Sequence, residues 1–357
     1  MTFSLSCNNR DSIGLDVGSA AIKAARVKHR SGQFFVEAVA QVMIERSGNG
    51  DEHGPHTVEA IARCLADLGQ AQKGIVCGLS GPEVAVRTFG FPAIRNSEIP
   101  GAVRLEALQV CPLNLDESTL DYQLLSPIST KSIWRHKARN TISGVKGLMA
   151  VATKQAIKRK LQSVEAAGAK CALMDINGLA LLNCLQACQE KTSNKTNVVL
   201  DIGWTFTIIA ILLDNGLPFV RDIPYAAHNI VELVCKERRL TKEVLLQDLM
   251  KPEQGSDRDL LTGAFKTACG RLVEEVGDTI RYCSGQMSDR DGQDFHICGG
   301  LTRAKYIPDS LGALLPGEVR VLDPLSLLRH SQAVDKDRLA GLGSAFAVAV
   351  GLAMRSV

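Results

Sequence analysis

Residues 13–19 read IGLDVGS and residues 198–204 read VVLDIGW, and these two stretches decide the fold. Each is an apolar strand that ends in Asp-x-Gly and runs through a short turn into a second apolar strand, which is the pattern of a β-hairpin. The copies lie about 185 residues apart, and each opens one half of the chain. One Asp-x-Gly alone is an ordinary strand end, whereas the repeat predicts two halves built on the same plan.

Both predicted hairpins carry the chemistry of a phosphate-binding loop. Gly18 and Gly203 let another group approach the backbone closely, and turn amides that face outward donate to phosphate oxygens. Asp16 and Asp201 stand at the strand ends, where a carboxylate can hold Mg²⁺ through its water shell. Two such hairpins that face each other across a cleft would grip a triphosphate from both sides.

A third glycine turn fits the same hypothesis. Gly299 and Gly300 follow a strand predicted over residues 295–298 and precede a predicted helix, so the backbone there can approach a flat ligand such as a purine. The chain contains no Walker P-loop, G-x-S-x-G or H-E-x-x-H sequence, which disfavours a Walker nucleotide site, a serine hydrolase and a zincin.

Composition narrows the class of protein. The 357 residues predict two or three domains, and the net charge of +3 with 4% aromatic residues disfavours nucleic acid as a partner. The 11 cysteines are scattered without a C-x-x-C pair, which indicates buried thiols in a reducing cytoplasm rather than a zinc site. No apolar run approaches the length of a membrane span, so we expect a cytoplasmic protein whose role at a membrane, if any, is indirect.

Hydrophobic periodicity divides the chain into segments. We expect the first half of domain 1 over residues 1–84 and a small inserted α/β module over 85–170, with a helix at 99–110 and strands at 119–126 and 145–152. An interdomain helix and linker follow at 171–198, then domain 2 at 199–330, and a C-terminal helix over 331–357 that returns to domain 1. The basic run at 131–139 is expected to be a solvated loop or a partner-binding tip.

The order of these elements resembles the actin-like ATPase superfamily, and within it the PilM family of type IV pilus assembly proteins, relatives of the cell-division protein FtsA. The resemblance extends from about residue 12 to 355. Besides the two Asp-x-Gly hairpins it is carried by these stretches: Phe91-Pro92, Glu106-Ala107-Leu108-Gln109, Leu120-Asp121-Tyr122-Gln123-Leu124-Leu125, Ala166-Ala167-Gly168, Ala180-Leu181, Arg221-Asp222-Ile223-Pro224 and the run from Ala347 to Ala353.

The resemblance implies an α/β, actin-like ATPase fold: two halves around a nucleotide cleft, with an inserted small module of the FtsA/PilM type. It implies ATP and Mg²⁺ as ligands, with Mg²⁺ near Asp16 and Asp201. The implied first phosphate loop holds Asp16, Gly18, Ser19 and Lys23, the second holds Asp201, Gly203, Thr205 and Thr207, and the adenosine loop holds Gly299 and Gly300.

The implied partner is the cytoplasmic tail of a PilN-like inner-membrane protein. Such a tail would lie in a groove beside the inserted module, expected around residues 105–122, and would hold the chain at the inner membrane. Four positions depart from the family pattern and would narrow the nucleotide pocket: Trp204, Ala226, Ala227 and Leu301.

Four functions stay open at this point. The first is a nucleotide-binding adaptor of a pilus, competence or secretion platform, and the second is the same adaptor without nucleotide. A small-molecule kinase is the third, although no extra acidic motif marks its base, and Asp175 and Asn177 lie only near the expected interdomain helix. A filament protein like FtsA is disfavoured, because residues 351–357 lack the amphipathic character of a membrane-binding tail.

Overall fold

The described residues form three β-sheets, and two of these have equivalent strand arrangements. The computed structural model describes residues 10–45, 54–69, 74–125, 144–189, 195–213, 216–249, 258–284, 292–331 and 341–355. The strands are β1 (Arg10–Val17), β2 (Ala21–Arg30), β3 (Gln33–Met43), β4 (Ile75–Leu79), β5 (Val84–Phe91), β6 (Ser118–Leu124), β7 (Val145–Thr153), β8 (Cys171–Ile176), β9 (Thr196–Ile202), β10 (Thr207–Leu212), β11 (Pro218–Ile223), β12 (Gln293–Cys298), β13 (Glu318–Val321) and β14 (Arg329–His330). The helices are α1 (Pro55–Asp67), α2 (Ile99–Val110), α3 (Lys154–Ala166), α4 (Asn177–Cys188), α5 (Ala227–Arg238), α6 (Lys242–Asp248), α7 (Arg258–Ser284), α8 (Tyr306–Leu314), α9 (Pro324–Leu327) and α10 (Ala347–Ala353).

Apart from the edge strand β14, the first and second sheets have equivalent strand orders. The first is β14-β3-β2-β1-β4-β8 and the second is β11-β10-β9-β12-β13. In each, an antiparallel three-strand meander is extended by two parallel strands, since β1 pairs with β4 and β9 pairs with β12 in parallel. The two-halves prediction from the repeated Asp-x-Gly hairpin is therefore confirmed.

The central strands are apolar because both faces of each sheet are covered. All five residues of β4 are buried, as expected for a parallel strand with helices on both sides. Helix α10 lies on β1 and against α4, and glycine makes this approach possible. A Cβ on Gly14 of β1 would lie 2.0 Å from the Ala349 carbonyl oxygen, and one on Gly351 would lie 1.9 Å from that of Ala180. The Ser12 hydroxyl also donates to the Ala353 carbonyl.

The third sheet is a small separate layer with the order β5-β7-β6. Helix α2 covers one face of it and forms a local core whose fully buried members are Phe89, Ile99, Val103, Ala107, Leu115, Met149 and Val151. Helix α3 follows β7 directly and places Val164 in the core of the first half. The chain thus leaves the first half after β4 and re-enters it through α3 and β8.

Two strands and one helix boundary differ from the sequence-based expectation. Strand β5 was not predicted, and β8 was merged with the interdomain helix because Ile176 runs into Asn177 of α4 without a turn residue between them. Within the described part of the predicted C-terminal helix, residues 341–355, a 3₁₀ turn at Gly343–Phe346 comes before the α-helical residues Ala347–Ala353. The basic run at 131–139 lies outside the described residues.

None of the helices in the described segments is both long and apolar enough to cross a bilayer.

The packing of α10 gives a direct test of the fold. We expect Gly351→Ala to lower the free energy of unfolding by about 3 kcal/mol, because its methyl group would overlap the Ala180 carbonyl and push the helices apart. Urea unfolding followed by circular dichroism measures this change. Gly312→Ala in α8 is the matched control, since its Cβ meets open space and should stabilise the protein by about 0.5–1 kcal/mol. Equal stabilities for the two variants would contradict the close approach.

Candidate functional site

The first hairpin places a carboxylate and an ammonium group side by side. Asp16 and Lys23 are directly paired across β1 and β2, and the Lys23 Nζ lies 2.6 Å from the Asp16 Oδ2. Their side chains are only 8% and 15% exposed, so the ion pair is largely shielded from water. The turn between them is closed by the Gly18 amide, which donates to the Ala21 carbonyl over 3.2 Å.

The second hairpin repeats this geometry without a lysine. Asp201 pairs with Ile208 across β9 and β10, and the Gly203 amide donates to the Phe206 carbonyl over 3.1 Å. A Cβ on Gly203 would lie 2.6 Å from that carbonyl oxygen, so the turn requires glycine here. The Thr207 side chain is fully buried and its hydroxyl donates to the Tyr225 carbonyl over 2.7 Å. Thr207, which the resemblance implies as a loop ligand, therefore uses its hydroxyl within the second half.

The two hairpins meet. Ser19 Oγ and Thr205 Oγ1 lie 2.5 Å apart in a hydrogen bond between residues 186 positions apart in the chain. The turns of the two Asp-x-Gly hairpins therefore face one another.

One lysine interacts with two carboxylates at this junction. Burial lowers the pKa of Lys23, but the charges of Asp16 and Asp201 outweigh it and the net pKa is raised. Burial raises the pKa of Asp201 to about 6; Lys23 opposes this rise and Asp16 adds to it. Two carboxylates against one ammonium leave an excess of negative charge, and this donor set together with the hydroxyls of Ser19 and Thr205 suits a hydrated divalent cation that carries phosphates.

The glycine pair after β12 is brought to the end of β9. Gly299 has φ +109°, and a Cβ there would lie 2.3 Å from the Ile202 carbonyl oxygen. Its amide donates to the Ser344 carbonyl over 3.1 Å. Gly300 begins a 3₁₀ turn, and a Cβ there would meet open space. Gly299 is thus required by packing next to the second hairpin, whereas Gly300 lies in an uncrowded position.

The four departures from the family pattern pack within the second half. The Trp204 ring lies 6.3 Å from the His228 ring of α5, with the Lys242 Nζ of α6 at 4.3 Å from its centre. Leu301 packs against the same core as Trp204, and Ala226 and Ala227 are buried at the start of α5. The contacts of the Trp204 indole are therefore with α5 and α6.

Sequence reasoning missed a carboxylate at the boundary between the halves. Asp222 of β11 accepts a hydrogen bond from the Gly81 amide in the β4–β5 connection, with 2.6 Å between nitrogen and oxygen. Burial raises the pKa of Asp222 to about 6, the Gly81 amide opposes this rise, and the charge of Asp201 adds to it. The only local signal was a charged residue inside an apolar strand, in the stretch Arg221-Asp222-Ile223-Pro224.

Asp175 and Asn177, at the start of the interdomain helix α4, both contact other parts of the protein. The Asp175 carboxylate lies 2.9 Å from the Arg355 Nε, and burial raises the Asp175 pKa. The Asn177 amide donates to the Ser80 hydroxyl over 3.1 Å.

A groove lies between β6 of the third sheet and α3. It has a volume of about 380 Å³ and joins one strand, β6, to one helix face. Its lining residues are Thr119, Lys154, Ile157, Lys158, Leu161, Gln162 and Glu165. Ile157 and Leu161 form an apolar stretch, with lysines towards the start of α3 and Glu165 towards its end.

The family model described as "Type IV pilus assembly protein PilM" matches residues 14–357. The chain belongs to the PilM family. The match includes both Asp-x-Gly hairpins, the inserted module and α10, so the family predicted from the sequence is confirmed.

Two solved structures place the fold of this PilM-family chain among known proteins. A PilM-PilN type IV pilus biogenesis complex superposes with a TM-score of 0.77 at 21% identity, over 98% of this chain and 99% of that one. The ethanolamine utilization protein EutJ from Carboxydothermus hydrogenoformans superposes with a TM-score of 0.53 at 12% identity, over 98% and 91% of the two chains. The predicted actin-like ATPase fold is confirmed.

The raised pKa of Asp201 predicts a pH-dependent stability. A carboxyl with a higher pKa in the folded state stabilises the fold below its ordinary value of 3.8, and this contribution is lost as the pH rises through about 6. Asp201→Asn carries no charge, so we expect it to raise the free energy of unfolding by about 1–2 kcal/mol near pH 8 and by much less near pH 4.5. Urea unfolding at both pH values measures the difference. An equal gain at both would show that packing, not charge, sets the effect.

Proposed function

We propose that this PilM-family chain is a cytoplasmic, nucleotide-binding adaptor of a type IV pilus or related secretion platform, and that it docks the cytoplasmic tail of a PilN-like inner-membrane protein. The observation that carries this proposal is the meeting of the two Asp-x-Gly hairpins at Ser19 and Thr205, beside Lys23 and its two carboxylates. The family and the similarity to a PilM-PilN complex support the platform and the partner.

The residues at the junction fit Mg-ATP. Asp16 and Asp201 would hold Mg²⁺ through water, Lys23 would neutralise phosphate charge, and the hydroxyls of Ser19 and Thr205 would each donate to a phosphate oxygen. When bound, Mg-ATP supplies phosphates that link both hairpins. Because Ser19 and Thr205 are only 2.5 Å apart, the hairpins must separate to admit phosphates, so binding is coupled to the angle between the halves.

The groove between β6 and α3 fits a short extended peptide. Ile157 and Leu161 offer an apolar floor for one or two aliphatic side chains, while Lys158 and Glu165 fix the direction of a peptide of mixed charge. The outer edge of β6 is unpaired within the described sheet, so its backbone can add hydrogen bonds to the peptide. This groove borders the segment 105–122 at Thr119.

A nucleotide-free adaptor is the second candidate. The Ser19–Thr205 hydrogen bond and the Asp222–Gly81 hydrogen bond would by themselves hold the halves together. In that case the actin-like fold acts as a passive scaffold for the groove.

Calorimetric titration of Mg-ATP into the purified protein tests the nucleotide proposal. We expect Asp16→Ala to weaken binding at least about tenfold, because Lys23 and the hydrated cation lose a carboxylate partner. Asp309→Ala, an exposed acidic residue at the start of α8, is the matched control and should bind as wild type. Absence of binding to folded wild-type protein would favour the nucleotide-free scaffold.

Peptide binding tests the groove. We expect Leu161→Glu to weaken binding of a synthetic PilN-type tail peptide at least about tenfold, because it buries a charge against the apolar part of the peptide. Fluorescence anisotropy of a labelled peptide measures this. Leu327→Glu is the control, since Leu327 is 55% exposed on α9 and is not a lining residue. Unchanged binding by Leu161→Glu would move the docking site elsewhere.

A further inference from the structure

Helix α3 contacts two different regions of the protein through two of its faces. One face lines the groove with Lys154, Ile157, Lys158, Leu161 and neighbouring residues, as the 3.6-residue period places them together. Arg159 and Lys160, which follow Lys158 in the chain, lie on a different face of the helix. Their side chains contact Glu83 and Val17, near the boundary between the halves.

A hydrogen bond connects α3 to the first hairpin. The Lys160 Nζ donates to the Val17 carbonyl oxygen over 3.1 Å. Val17 lies between Asp16 and Gly18, so a displacement of this hairpin pulls directly on the middle of α3. The partners are 143 positions apart in the chain, and the bond therefore reports tertiary packing rather than local geometry.

Glu83 makes the second connection, through hydrogen bonds to residues at the start of α3. One oxygen of Glu83 accepts from the Thr153 hydroxyl over 3.0 Å, and the other accepts from the Arg159 guanidinium. The Thr153 oxygen in turn accepts from the Ala156 amide over 3.1 Å and caps the helix. Glu83 therefore fixes both the cap and the first turns of α3.

The β4–β5 connection, which contains Glu83, is also hydrogen-bonded to the second half. Gly81, two residues before Glu83, donates its amide to Asp222 of β11 over 2.6 Å. Gly81 has φ +97°, and a Cβ there would touch Phe206 of the second hairpin at 3.8 Å. Pro82 stiffens the link between Gly81 and Glu83. A movement of the second half is thus transmitted to Glu83 through three residues.

We propose that α3 couples the cleft to the groove: a change in the angle between the halves moves the helix through the chain Asp222–Gly81–Glu83–Arg159, while Lys160–Val17 links it to the first hairpin, and this sets the spacing between α3 and β6. Regulation of the groove in this sense rests on the proposed function. Its thermodynamic content is that Mg-nucleotide and the tail peptide change each other's affinity by the same factor. Asp222 and Glu83 are positioning residues that touch neither ligand.

Amide hydrogen exchange on the ligand-free protein tests the coupling without either proposed ligand. We expect Asp222→Ala to speed exchange of the amides at 157–161 of α3 at least about fivefold, although Asp222 lies in the other half and its hydrogen bond is to Gly81 rather than to α3. Asp222→Asn keeps an oxygen for the Gly81 amide and should restore most of the protection. Helix α8 serves as the internal reference and should not change.

Glu83→Gln tests the same chain from the other end. It should speed exchange at the same α3 amides, whereas Glu117→Gln, an exposed acidic residue of the same module, should not. Unchanged exchange in α3 for both Asp222→Ala and Glu83→Gln would overturn the coupling. If Asp222→Ala does not fold, the Glu83→Gln result alone decides.

Ligand linkage then measures the size of the effect. Tail-peptide affinity with and without Mg-ADPNP should differ at least about fivefold in wild type and less than about twofold in Glu83→Gln, with each ligand alone bound nearly as in wild type. An equal ratio in the two proteins would overturn the coupling. If wild type binds neither ligand, the proposed function fails, while the exchange experiment still decides whether α3 is joined to the boundary.

Discussion

The rest of this structure depends on two carboxylates that interact with one largely buried lysine. Asp16 pairs with Lys23 within the first half, and the charge of Asp201 from the second half acts on the same lysine, so the excess of negative charge is present only when the halves are together. Unpaired charge is costly to bury, and the surrounding framework must therefore hold the strand ends in register. The central strands β1 and β9 do this because each is paired on both sides within its sheet.

The framework close to this junction is fixed by backbone packing: close approaches at Gly14 and Gly351 hold α10 between β1 and α4. The inserted module is joined to the halves by apolar contacts, since Val86 and Leu148 lie in one core with Val220. It is joined to the cleft also by polar contacts of Glu83, Lys160 and Asp222. Polar contacts of this kind have discrete made and broken states, which suits a surface whose affinity for a peptide is to be adjusted.

The sequence predicted what is local or repeated. The Asp-x-Gly repeat predicted two halves and their facing hairpins, and apolar runs predicted most strands and helices. Strand β8 was missed because no turn residue separates it from α4. The Asp222–Gly81 and Arg159–Glu83 contacts join residues 141 and 76 positions apart, and nothing in a local pattern marks such pairs. Thr207 matched a motif by spacing, but only the structure shows its hydroxyl turned to Tyr225.

The position of α10 also affects the order in which the two halves can fold. Strand β1 is covered by a helix whose contact with Ser12 spans 341 positions, so the ribosome must make nearly all of the described chain before the first half can close. The strands of the second sheet instead lie within residues 196–321. The half that is synthesised later can thus complete its sheet earlier, while the apolar strands made first stay exposed for longer, and exposed apolar strands are prone to aggregation.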